Sequence, residues 1–153
     1  MTKILFVCHG NICRSPMAEF VMKDLVRKAG LEDKIFVDSK ACRRDELGND
    51  TYYGTKEILR KKGIPFSKRR ATQITAEDYK NFDYIIGMDF ENMRDFKRIF
   101  GEDSQEKIYL LMNFAGENRE VADPWYTDDF ETTYNDVLKG CRALLNFLPV
   151  EKN

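Results

Sequence analysis

Residues 2–16 read TKILFVCHGNICRSP, an apolar run followed by a polar loop and a Ser-Pro pair. The run from Thr2 to Val7 is short and partly β-branched, which is typical of a strand buried within a parallel sheet. Serine is a good helix cap, and proline fits the first helical turn because it needs no N–H there. The stretch therefore predicts a strand, a loop and a helix with Ser15 as its N-cap.

The same alternation continues along the chain. Further strands are predicted at 34–39, 82–88 and 107–112, and further helices at about 51–62, 91–100 and 130–148. Alternating strands and helices indicate an α/β fold, with parallel strands joined through helices. We expect residues 1–153 to form a single three-layer domain, in which a four-stranded parallel sheet carries helices on both faces.

Composition narrows the classes of function. The 153 residues are 42% hydrophobic, enough for a substantial core, and 25 basic against 26 acidic side chains give a net charge of −1. A near-neutral chain has no overall field that would draw it to nucleic acid or anionic lipid. The apolar runs are shorter than the roughly 18 residues of a membrane span, and the first strand is too short for a signal peptide. We expect a cytoplasmic protein with no nucleic-acid partner and no membrane segment.

The cysteines do not suggest a disulfide framework or a metal site. There are four, Cys8, Cys13, Cys42 and Cys141, and His9 is the sole histidine. Their spacing differs from that of zinc ligands, so we expect free thiols, no metal and no cofactor. Cys141 falls on the apolar face of the last predicted helix and is interpreted as a core residue. Cys42 falls in a polar loop near the expected site and is interpreted as a bystander.

The loop after the first strand has the features of an anion-binding site. A helix N-terminus offers unpaired N–H groups and positive partial charge, so a loop wrapped over it can cradle a phosphate. Gly10 and Asn11 tolerate positive φ, and Arg14 can hold two phosphoryl oxygens at once. The predicted phosphate-binding residues are His9, Gly10, Asn11, Ile12, Cys13, Arg14 and Ser15.

Cys8 is the candidate nucleophile at the base of that loop. The helix dipole, the converging N–H groups and Arg14 all favour a thiolate over a thiol. Ser15 is positioned to donate its hydroxyl to the sulfur. These features predict covalent catalysis through a cysteinyl phosphate.

A leaving oxygen needs a proton, and residues 123–126, DPWY, offer the candidate acid. Pro124 biases Asp123 toward extended backbone, and Trp125 and Tyr126 can form walls for an aryl ring. Asp128 and Asp129 are interpreted as caps or as N-terminal dipole partners of the last helix. The basic run at 68–70 is interpreted as a solvated loop.

These motifs together resemble the low-molecular-weight protein tyrosine phosphatases. The resemblance rests on LFVCHGNICRSPMAE at 5–19, VDS at 37–39, FDYIIGMD at 82–89 and DPWY at 123–126. It implies that Cys8 is the nucleophile, Arg14 the phosphate clamp and Asp123 the general acid and then base. It further implies that Ser15 holds the thiolate, Asn11 locks the loop, and Cys13 forms a reversible protective disulfide with Cys8.

The resemblance also implies a substrate class and exposes two departures. A phosphotyrosine-containing protein is the expected substrate, and Ile12 favours phosphotyrosine over the phosphoarginine that relatives with threonine there cleave. Asp45 stands near the position of the usual aromatic wall of the substrate slot. Ser67-Lys68-Arg69 replaces a loop histidine that usually supports the asparagine. We expect a monomer or weak dimer.

Three other functions are compatible with parts of the pattern. An arsenate reductase needs a relay of cysteines, normally after the third strand, where this chain has none. A sugar-transport phosphocarrier uses a phosphorylated cysteine but needs neither Arg14 nor Asp123. A non-catalytic phosphate-binding protein gains nothing from a nucleophile beside an acid.

Overall fold

One sheet of four parallel strands, in the order β2-β1-β3-β4, organises the chain in the computed structural model, which describes residues 1–152. The strands are β1 (Thr2–Cys8), β2 (Ile35–Ala41), β3 (Tyr84–Gly87) and β4 (Ile108–Leu110). The helices are α1 (Arg14–Lys28), α2 (Tyr53–Lys61), α3 (Asp78–Asn81), α4 (Phe90–Phe100), α5 (Pro124–Thr127) and α6 (Phe130–Phe147). This architecture confirms the predicted fold class.

Side chains alternate along β1 and supply a core to each face of the sheet. Ile4 and Phe6 face one cluster with residues of α1, α2 and α6, including Met17, Leu59 and Val137. Leu5 and Val7 face a second cluster, to which α4 contributes Phe96. β1 is therefore buried on both sides, which explains its uninterrupted apolar sequence.

Two predicted strands are shorter than expected. The fourth covers only Ile108–Leu110, and Leu111–Ala115 then form a 3-10 helix. Leu111 and Met112 are fully buried there, so the apolar run reflects burial and not continued strand pairing. The third strand is confined to Tyr84–Gly87, the only part that pairs with β1. The short helices α3 and α5 were not predicted.

The strand register brings several loops to one edge of the sheet. Cys8, the last residue of β1, pairs with Ala41 at the end of β2, and Val7 pairs with Gly87 at the end of β3. The loops that follow these strands therefore emerge side by side, at the edge where ligands bind in open parallel sheets. Across residues 1–152, no helix combines the length and the apolar character that crossing a membrane requires.

Candidate active site

The loop between β1 and α1 ends two residues earlier than the sequence indicated. Helix α1 begins at Arg14 with Cys13 at the N-cap, so the prediction of Ser15 as the cap is wrong. Ser15 is fully buried as the second residue of the helix, and its hydroxyl lies 3.1 Å from Cys8 Sγ. The Ser15 side chain therefore contacts the Cys8 sulfur and does not cap the helix.

Asn11 has the left-handed backbone conformation that the loop needs. The φ angle of Asn11 is 60°, whereas the φ angle of Gly10 is not positive. Gly10 instead provides space, because a Cβ there would lie 3.2 Å from Cγ of Glu46. The expectation of positive φ is therefore confirmed for Asn11 and wrong for Gly10.

The Cys8 sulfur is buried and surrounded by hydrogen-bond donors. Cys8 is 3% exposed, and the backbone N–H of Ser15 donates to Sγ over 3.4 Å. Asn11 Nδ2 donates to Ser15 Oγ over 2.8 Å, so that oxygen acts as acceptor there and its own proton is free for the sulfur. Donors that converge on a sulfur stabilise its anionic form.

Asn11 is held by a group that the sequence analysis assigned to solvent. Arg69 donates to the backbone oxygen of Asn11 over 2.9 Å and also to its Oδ1, and the Arg69 side chain is only 12% exposed. The interpretation of the basic run as a solvated loop is therefore wrong for Arg69. Asn11 Nδ2 also donates to Ser39 Oγ over 3.0 Å, and Ser39 in turn donates to Glu19 over 2.5 Å.

Arg14 is buried and fixed by three acceptors. Its Nη1 lies 2.9 Å from Asp89 Oδ2 and donates to the Val121 oxygen over 2.9 Å, and its Nη2 lies 3.4 Å from Asp123 Oδ2. Burial lowers the pKa of Arg14, but the negative charges of Cys8, Asp123 and Asp89 outweigh burial and raise it. The guanidinium therefore stays charged beside the sulfur.

Asp89 is a site residue that the sequence analysis missed. It follows β3 and caps α4, where its side chain accepts a hydrogen bond from the Asn92 N–H. A carboxylate at the carboxyl end of a central parallel strand was the signal that could have revealed it. Its second oxygen is thereby directed to Arg14.

Asp123 reaches the same site from the other end of the chain. The Val121 N–H donates to the Met88 oxygen over 2.8 Å, which fixes the incoming loop beside β3. Asp123 then caps α5 by accepting from the Trp125 N–H over 3.0 Å. The prediction that this loop reaches the edge of the sheet where Cys8 lies is confirmed.

The side chains assigned to the substrate slot surround a cavity of about 470 Å³. Asp45, Trp125 and Tyr126 line its mouth, and Trp125 and Tyr126 are 53% and 84% exposed. The Trp125 ring packs edge-on against Tyr52, with ring centroids 5.1 Å apart. The buried residues Cys8, Cys13 and Arg14 also line the cavity, together with Gly10 and Ile12, and the half-exposed His9 lies beside Asp45.

The other three cysteines, Cys13, Cys42 and Cys141, are buried free thiols. Burial, the first cause, raises the pKa of Cys13 to about 12, with the nearby charges of Cys8 and Asp123 adding to it. Cys42 and Cys141 are 1% and 0% exposed, and burial raises the pKa of both. Within residues 1–152, no cluster of three or more His, Cys, Asp or Glu is arranged to hold a metal ion.

A sequence model described as "Low molecular weight phosphotyrosine protein phosphatase" matches residues 3–153 of the chain. The chain belongs to the low molecular weight phosphotyrosine protein phosphatase family. This family assignment makes it a protein-tyrosine phosphatase by class, as the sequence resemblance implied.

A known member of the low molecular weight phosphatase family is similar to this chain in both sequence and structure. The chain is 42% identical to "Low molecular weight protein-tyrosine-phosphatase YfkJ" of Bacillus subtilis over 154 residues, covering 99% of each chain. The YfkJ crystal structure superposes with a TM-score of 0.92, covering 95% of this chain and 93% of that one.

Two other phosphatase structures are similar. "SP-PTP, low molecular weight protein tyrosine phosphatase from Streptococcus pyogenes" has a TM-score of 0.88 at 44% identity, covering 99% of this chain and 95% of that one. "DARP, drosophila arginine phosphatase" has a TM-score of 0.88 at 30% identity, covering 98% and 99%. One phosphatase of similar fold is thus named for arginine.

Proposed function

We propose that the chain hydrolyses phosphotyrosine in cytoplasmic proteins through a cysteinyl-phosphate intermediate, without a metal or cofactor. The observation that carries this proposal is the pair of contacts from Ser15 to Cys8 Sγ, 3.1 Å from Oγ and 3.4 Å from the backbone nitrogen. Buried donors on a sulfur favour the nucleophilic thiolate.

In the first step the Cys8 sulfur attacks phosphorus, an S–P bond forms and the ester P–O bond breaks. Asp123 donates its proton to the departing tyrosine oxygen. Arg14 and the loop N–H groups bind the equatorial phosphoryl oxygens, where negative charge must be stabilised. The contact of 3.4 Å between Arg14 and Asp123 supports their action on one phosphoryl group.

In the second step water attacks the phosphocysteine and Asp123 takes a proton from that water. The S–P bond breaks, inorganic phosphate leaves and the Cys8 thiolate is restored. Asp45, Trp125 and Tyr126 border the entrance that a phosphotyrosine ring would use. Because Asp45 is charged, one wall of the slot is polar and not aromatic.

Phosphoarginine is a second candidate substrate, favoured by the similarity to the Drosophila arginine phosphatase. Ile12 supports phosphotyrosine instead, because an apolar side chain offers no hydrogen bond to a guanidinium. The two substrates differ in shape and charge, so direct comparison separates them.

The deciding experiment measures kcat/KM for p-nitrophenyl phosphate, phosphotyrosine peptides and phosphoarginine peptides, with arsenate reduction as a control. We expect phosphotyrosine to be preferred, arsenate to remain unreduced and EDTA to leave the rates unchanged. Cys8→Ser should abolish turnover while inorganic phosphate still binds. Hydrolysis retained by Cys8→Ser would remove Cys8 from the mechanism, and preference for phosphoarginine would replace the proposed substrate.

A further inference from the structure

His9 lies at the mouth of the cavity between two carboxylates from different segments. Its Nε2 is 2.6 Å from Asp45 Oδ2, and its Nδ1 is 3.3 Å from Glu91 Oε1. Asp45 belongs to the loop between β2 and α2, whereas Glu91 belongs to the first turn of α4. One imidazole therefore joins two sides of the mouth.

We propose that His9 is a positioning residue, whose doubly protonated ring holds Asp45 and Glu91 together across the mouth and keeps the entrance favourable to phosphate. Loss of one proton releases one carboxylate and removes a positive charge from the entrance. The link from His9 to Asp45 and Glu91 does not depend on the activity of the protein, but its effect on KM rests on the phosphatase function proposed above.

The arrangement of the two acceptors selects the charged form of the ring. Neutral imidazole has one N–H, so it can donate to Asp45 or to Glu91 but not to both. Imidazolium donates from both nitrogens and satisfies the two carboxylates together. Both nitrogens of His9 face carboxylate oxygens, so the link is complete only when the ring is protonated.

The direction of the pKa shift agrees with this geometry. Burial lowers the pKa of His9, but the hydrogen bonds and charges of Asp45 and Glu91 outweigh burial and raise it above the ordinary 6.5. A group whose pKa is raised in the folded protein stabilises the fold at low pH, and that stabilisation is lost as pH rises through the raised value. The link is therefore complete below the ordinary pKa of 6.5 and opens as pH rises through the raised pKa of His9.

The loop that carries Asp45 is anchored elsewhere by a different pair. Arg43 donates to Asp95 of α4 through Nε over 3.0 Å and through Nη2 over 2.9 Å. That pair fixes the start of the loop, so opening the His9 link moves Asp45 without detaching the whole segment. Beyond that contribution to stability, the effect is expected on the shape and charge of the mouth.

Charges around His9 explain why its proton matters for substrate binding. The cavity is lined by six carboxylates, two arginines and His9: Asp45, Glu46, Asp89, Glu91, Glu120, Asp123, Arg14 and Arg94. Arg14 pairs with Asp89 and Asp123, which leaves Arg94 and His9 to offset the other four carboxylates. Deprotonation of His9 makes this entrance more negative and repels a phosphate dianion.

The link itself is tested by NMR titration, because the single histidine of the chain gives one imidazole spin system. Asp45→Asn and Glu91→Gln should each lower the pKa of His9 by about half a unit or more. Glu46→Gln removes the same charge from the cavity lining, at a side chain for which no contact with His9 is found. No decrease in the first two variants, or an equal decrease in Glu46→Gln, would overturn the proposal.

The functional consequence is tested by the pH dependence of kcat and KM for p-nitrophenyl phosphate in the wild type and His9→Gln. Since the three charged groups are partly exposed, we expect KM of the wild type to rise by about twofold to fivefold as His9 deprotonates. In His9→Gln, KM should show no such rise over the same pH range. The same KM rise in His9→Gln would refute a positioning role, whereas absence of wild-type turnover would contradict the phosphatase function and leave the NMR result to decide the link.

Discussion

The carboxylate of Asp123 lies 3.4 Å from the guanidinium of Arg14, across 109 positions of sequence. The contact joins the start of the first helix to the segment that leads into the last two helices. It brings the candidate acid to the phosphate clamp and to the cavity that Cys8 lines.

Asp123→Asn should reduce kcat for phosphotyrosine by about 10² to 10⁴, because the leaving oxygen loses its proton donor. The reduction should be smaller for p-nitrophenyl phosphate, whose leaving group needs less protonation. Asparagine retains the oxygen that caps α5, so the fold should be preserved. Steady-state kinetics of both substrates check this, with Asp128→Asn as the matched control. Equal losses for both substrates would indicate that Asp123 is not the acid.

Asp89→Asn should lower kcat/KM by about tenfold, because Arg14 loses the carboxylate that orients its Nη1 and an ill-oriented clamp binds the transition state less well. Asparagine is also a good N-cap, so α4 should be retained. The control is Asp129→Asn, which makes the same change at the cap of α6 away from Arg14. A matching loss of kcat/KM in both variants would show that the effect comes from helix capping alone.

Arg69→Gln should lower the free energy of unfolding by about 1–3 kcal/mol, because buried acceptors on Asn11 lose a charged donor. It should also lower kcat, since Asn11 aligns Ser15 with the Cys8 sulfur. Arg69→Lys should lower the free energy of unfolding and kcat nearly as much, because lysine lacks the planar guanidinium that donates to two acceptors at once. Arg70→Gln, at the exposed neighbour, is the control for both chemical denaturation and kinetics. An unaltered kcat would confine Arg69 to a stabilising role.

Cys13 should resist alkylation near neutral pH because its pKa is raised to about 12, so the thiol form dominates there. Its reaction with iodoacetamide should accelerate as pH rises toward that value, while Cys8 reacts first.

If Cys13 protects Cys8 by a disulfide, Cys13→Ser should keep its activity but fail to recover after peroxide and reductant. Mass spectrometry of alkylated peptides and recovery assays check both statements; full recovery of Cys13→Ser would exclude the protective disulfide.

The fold could be predicted because local patterns and burial agree over most of the chain. The run in β1 is apolar at every position from Ile4 to Val7, and the structure buries it on both faces. The last helix was predicted at 130–148 and is found at Phe130–Phe147. The predicted strand was wrong at Leu111 and Met112, which lie in a 3-10 helix. An apolar run indicates that side chains are buried, and a 3-10 helix can bury them as well as a strand does.

The sequence by itself determined that a cysteine, an arginine and a helix N-terminus would share one loop, because Cys8 to Ser15 stand between an apolar strand and a helix start that fix both ends of the loop. Tertiary structure decided the long-range partners: Asp89 on Arg14, Arg69 on Asn11, and Asp45 with Glu91 on His9. No local periodicity encodes such pairs, since they depend on which loops the parallel strands bring to the same edge of the sheet.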